Sequence, residues 1–86
     1  MPVLSKFYGI FIRMLFTPRL AAHFHALHEN WELVVGISPV RVINGDAPEW
    51  VHRLVLEWAS LHQSELMDNW WRCGTAKGPR AIAPLA

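Results

Sequence analysis

The sequence predicts an α+β domain: an antiparallel meander of three or four strands over about residues 9–44, one long or broken helix over about 47–73, and an extended tail over 74–86. Three observations predict it. The first half concentrates β-branched and aromatic residues in short runs separated by turn signals, and the second half changes to apolar spacings of three and four. The third is size: 86 residues, 52% of them hydrophobic, make one domain over 1–86 that carries more apolar surface than so short a chain buries alone. Part of that surplus is expected on the outside of the monomer.

The elements follow in order. Ile10, Phe11 and Ile12 form the first strand, which Thr17-Pro18 ends; Phe24 lies in the second, and Glu29-Asn30 divides it from the third. Val34, Val35 and Ile37 make the third strand, Ser38-Pro39 separates it from Val40, Val42 and Ile43 of the fourth, and Asn44-Gly45 closes that one. Links this short exclude parallel crossovers, which need about a dozen residues. Asp46 reads as the N-cap of the helix, with Glu49 at its third position and Pro48 in the first turn, where a missing N–H is no loss. Val51, Leu54, Val55, Trp58, Leu61, Leu66 and Trp70 then fall along one broad stripe, and Gly74 marks its end. Gly78-Pro79 and Pro84 cannot continue a helix, so Ile82 and Leu85 belong to a tail that docks on the body.

Eight Lys and Arg against seven Asp and Glu give a net charge of +1, which excludes a strongly basic nucleic-acid binder and a disordered chain. All seven acids lie between Glu29 and Asp68, leaving both ends basic. The single cysteine, Cys73, cannot form an intrachain disulfide, so a reducing, cytoplasmic setting is expected. Arg13 interrupts the apolar stretch from Phe7 to Phe16, and no run approaches the 18 or so residues of a membrane span, so neither a cleaved signal nor a membrane segment is expected.

Ser5-Lys6-Phe7-Tyr8-Gly9-Ile10, Ile12-Arg13-Met14, His23-Phe24-His25-Ala26, Leu56-Glu57-Trp58-Ala59 with Leu61-His62, and Asn69-Trp70 occur in the order that resembles a bacterial family of unknown function, domain of unknown function 4160. The resemblance runs from about Met1 to Leu85. It implies a small strand-then-helix protein, often encoded beside a member of domain-of-unknown-function family 2442 in a pairing like a toxin-antitoxin module; no activity comes with it. The chain departs from the family pattern at Pro18-Arg19-Leu20-Ala21-Ala22, where Arg19 replaces a histidine, and at Gly36, where an Asp is frequent.

Strand alternation places His23 and His25 on one face, opposite Phe24 and Ala26. Arg13, out of register with Ile12 and Met14, meets them across a strand pair, and a guanidinium beside two imidazoles suits a phosphate or a carboxylate. His23, His25 and Arg13 are therefore the candidate catalytic residues. The alternative is that the imidazoles are hydrogen-bonded sheet residues and Arg13 pairs with Glu32. A metal site would need a third ligand from His28, Glu57 or His62, so no metal and no cofactor is expected. His62 lies one turn after Trp58 with Glu65 as its natural partner, and Glu57 sits about 140° around the helix from it.

Five tryptophans complete the pattern. Trp58 falls on the core stripe, but the adjacent Trp70 and Trp71 cannot share one core, so one is exposed unless the tail from Ile82 to Leu85 covers it. Trp70 and Trp71, with Trp58 and His62 along the same stripe, are the expected interface residues. Two functions fit. One is an interaction protein that self-assembles or binds the product of an adjacent gene, as in a toxin-antitoxin-like pair. The other is a small ribonuclease-like enzyme using His23, His25 and Arg13 on phosphate, with nucleic acid a weakly supported partner because the chain has no nucleophile motif, phosphate loop or strong basic patch.

Overall fold

A computed structural model describes residues 2–86. Five strands, β1 (Val3–Phe7), β2 (Ile10–Arg13), β3 (His23–His28), β4 (Trp31–Ile37) and β5 (Val40–Asp46), form one antiparallel sheet in the order β1-β2-β3-β4-β5. Two helices follow, α1 (Glu49–Leu61) and α2 (Gln63–Gly74). The chain is α+β, but the expected three- or four-stranded sheet and single long or broken helix are corrected to five strands and two helices.

The additional strand is β1. Tyr8 and Gly9 both take positive φ, 52° and 75°, the backbone of a two-residue hairpin turn whose twist matches its strands. Tyr8 is not a residue that signals such a turn, and a bulge between Val3 and Ser5 breaks the alternation that would mark the strand. At the other end, Asn44-Gly45 does not close β5. A bulge at Val34/Val35 shifts the register, and the strand runs on to Asp46, paired with Glu32. Gly45 is required there: its φ is +90°, and a Cβ would fall 2.1 Å from the Glu32 carbonyl oxygen.

Asp46 is correspondingly a strand residue and not the N-cap; its Oδ1 accepts from the Ala47 N–H at 2.9 Å. The helix starts at Glu49 with Pro48 as its cap residue, whose carbonyl accepts from Val51 N–H at 2.9 Å. The apolar stripe runs through both helices, but His62, at φ −118° and ψ 25°, separates them. The Gln63 side chain donates to the Ile37 carbonyl at 2.7 Å and ties the start of α2 to the end of β4. That contact joins residues 26 apart, so no local pattern announces it.

Both helices lie on one face of the sheet. Ile10, Ile12, Phe24, Ala26, Leu33, Val35 and Ile37 from the strands meet Val51, Val55, Trp58, Leu66 and Trp70 from the helices, all buried. Trp58 stands at the centre, its ring 5.4 Å from Phe7 and 5.8 Å from Phe24. Its indole N–H would be orphaned at that depth and instead donates to the Ala83 carbonyl at 2.9 Å.

The tail supplies that carbonyl and closes the β1 edge. Ile82 N–H donates to the Leu4 carbonyl at 2.8 Å, and the Ile82 side chain is buried. Asn69, itself buried, holds the segment by a reciprocal pair: its Nδ2 donates to the Arg80 carbonyl at 2.8 Å, and its Oδ1 accepts from Arg80 N–H at 2.7 Å. Replacing Asn69 by Ala removes both bonds and strands two backbone groups, a loss of about 2 to 4 kcal/mol. The expected outcome for Asn69→Ala is a lower urea midpoint together with faster tryptic cleavage at Lys77 and Arg80; an unchanged midpoint would contradict the clamp.

Candidate functional site on the open sheet face

Helices cover one face only, so the opposite face is built from the outward positions of the strands. Two cross-strand rows define it. Lys6, Phe11, Leu27, Glu32 and Asp46 are successive partners from β1 to β5. Val3, Arg13, His25, Val34 and Asn44 form the row beside them. Phe11, Leu27 and Val34 are half-buried by their neighbours, the bulged Ile43 is exposed beside Gly36, and Lys6 lies over the Phe11 ring at 4.9 Å. The result is an aliphatic and aromatic centre rimmed by charge.

The structure does bring the three candidate catalytic residues together. Arg13 is the direct cross-strand partner of His25, and the His23 and His25 rings stand edge to face at 5.4 Å. Their environments differ sharply. His23 is only 6% exposed, its Nδ1 2.8 Å from the Ala21 carbonyl and its ring 5.0 Å from Trp70, so it is a packed end-of-strand residue. A carbonyl can only accept, so Nδ1 carries the proton. His25 is more open, and its Nδ1 lies 3.0 Å from Glu32 Oε2. The Glu32 carboxylate, expected on Arg13, thus lies against His25.

His28 and His62 sit elsewhere. His28 Nδ1 donates to the Gly9 carbonyl at 2.9 Å and the ring packs on Trp50, bracing the β1–β2 turn. His62 is paired with Glu65 at 2.6 Å and lies against Trp58, as the three-residue spacing predicts. Neither approaches His23 and His25 as a ligand, and among the described residues no group of three or more His, Cys, Asp or Glu is placed to hold a metal ion. Cys73 lines an apolar cavity of about 440 Å³ with Met14, Leu15 and Phe16. Burial pushes its thiol up from the ordinary range, which weakens it as a nucleophile.

The tryptophans divide as the helical angle requires. Trp58 and Trp70 are core, Trp70 being 3% exposed against Phe16 and His23, whereas Trp71 is 60% exposed on the far side of α2. Of the four expected interface residues, only Trp71 presents a large free apolar surface. Sequence reading did not single out Phe11, Leu27 and Val34 as outward residues. Their signal is the period of two within β2, β3 and β4, masked because both faces of these strands are rich in apolar residues.

A five-stranded antiparallel meander with one helical layer and an open face defines a small α+β domain. The chain belongs to the family described as domain of unknown function (DUF4160), which matches residues 9–71. No curated protein and no solved structure matches it. No helix among the described residues is long and apolar enough to cross a membrane.

Protein purified without a histidine tag is expected to carry no stoichiometric transition metal. One tightly held metal per chain, lost in His23→Ala or His25→Ala, would contradict the placement of these rings.

Proposed function

We propose that this protein is a cytoplasmic interaction module, one component of a toxin-antitoxin-like pair, that works by binding protein through its open sheet face. The carrying observation is that Phe11, Leu27, Val34 and Ile43 lie together on a face that no helix covers. Apolar surface left in water forgoes roughly 25 cal/mol per Å², and a partner recovers it. Trp71, exposed on the helical layer, is a separate apolar contact on the other side of the sheet, with Trp58 and Trp70 buried in the core and His62 packed on Trp58.

A ribonuclease-like reading stands second. It draws on the His25–Glu32 contact, which orients the imidazole with Nε2 outward from the carboxylate, and on Arg13 beside it. Two cavities, of about 280 and 440 Å³, are lined by other residues.

The binding reading is tested by methyl and indole NMR of the dilute protein with and without the co-expressed product of the adjacent gene. Shifts are expected at the Leu27, Val34 and Ile43 methyls and at the Trp71 indole. A spectrum unchanged at all four would contradict it.

A further inference from the structure

We infer that the occupant of the open sheet face is a second copy of this chain, stacked face to face about a two-fold axis that runs along β3. The inference rests on the reading of that face as the binding surface and goes on to name the partner and its orientation.

The charges on this face are ordered from one edge strand to the other. Along the first outward row, Lys6 stands at the β1 end, Phe11 and Leu27 occupy the middle, and Glu32 and Asp46 stand at the β5 end. A two-fold axis along β3 keeps the row in place and reverses it, so β1 lies over the β5 of the second copy and β2 over its β4. Lys6 then meets Asp46 of the other copy at both ends, and Leu27 meets its own counterpart on the axis. Arg13, on β2, lies over the strand that carries Glu32 and Val34. The reversal therefore matches opposite charges at the two outer edges, Lys6 with Asp46, and an apolar pair on the axis, Leu27 with Leu27, while Phe11 lies over Glu32 and Arg13 over Val34.

The other symmetric stacking is disfavoured by the same charges. An axis across the strands would lay each strand over itself, placing Glu32 and Asp46 over the strands that carry their own counterparts. Like charges would crowd one side and Lys6 the other.

Stacking along β3 also keeps the strands of the two sheets nearly aligned, as in sandwiches, where the offset is about 30° and the sheets lie about 10 Å apart. A face roughly 20 Å wide is small for a stable interface, so a dissociation constant in the micromolar range is expected, on the order of 1 to 100 μM.

Within one chain Lys6 and Asp46 are four strand spacings apart, roughly 19 Å, too far to interact directly. Any energetic coupling between them is therefore intermolecular. Sedimentation equilibrium of the full chain from about 1 to about 300 μM should show a monomer-dimer equilibrium. Lys6→Glu and Asp46→Lys should each weaken it by about tenfold or more, and the double reversal should return it to within about threefold of the original. Circular dichroism must show all three variants folded; if Asp46→Lys is not, Asp46→Asn replaces it and its coupling to Lys6→Glu is read from the double-mutant cycle. A chain that remains monomeric throughout overturns the inference, and so does a double variant no more dimeric than the singles. If the chain is monomeric while the adjacent-gene product still shifts the Leu27 and Val34 methyls, the second copy is excluded and the binding surface stands.

Discussion

One constraint governs this molecule: two short helices form a single layer, and a single layer covers only one face of a five-stranded sheet. Everything apolar on the covered face is driven out of water around Trp58, which reaches Phe7 on β1, Phe24 on β3 and the tail carbonyl of Ala83. Burying a side chain of that size contributes about 3 kcal/mol or more, a sizeable share of the few kcal/mol by which a domain this small is stable. The uncovered face leaves Val3 and Ile43 exposed and Phe11, Leu27 and Val34 half-buried, while Leu15, Leu20, Leu61 and Trp71 are exposed elsewhere on the chain.

The edges of the sheet are treated differently. At β1 the tail lays a backbone hydrogen bond from Ile82 onto Leu4, and Asn69 holds Arg80 as a strand partner would. One backbone position of that edge is thus already paired within the chain. At β5 the edge carries Arg41 and Asp46, a register shift and a glycine at positive φ, features that discourage indefinite strand addition.

Local chemistry revealed much of this in the sequence. The antiparallel order, the breaks at Glu29-Asn30 and Ser38-Pro39, the helical stripe from Val51 to Trp70 and the split between Trp70 and Trp71 all rest on patterns within a few residues. What sequence reading missed depends on distant partners. β1 is hidden by its bulge and by Tyr8 in a turn that usually takes Asn or Gly. The continuation of β5 through Gly45 requires knowing that the Glu32 carbonyl lies against it, and the separation of α1 from α2 goes with the Gln63 contact to Ile37. At the site, the closeness of Arg13, His23 and His25 followed from strand alternation. The burial of His23 did not, because it comes from Trp70, on a helix 47 positions away in the chain.

Leu27 and Leu33 test the two-faced character of the sheet most directly, since they lie on neighbouring strands with their side chains on opposite faces. The measurement is thermal unfolding by circular dichroism, with molar mass by light scattering, for Leu33→Glu and Leu27→Glu. The account predicts that Leu33→Glu, which places a charge against the buried core, abolishes cooperative folding, whereas Leu27→Glu melts as a folded protein that no longer associates. A Leu27→Glu chain that unfolds like Leu33→Glu, or that folds and associates as before, would contradict it.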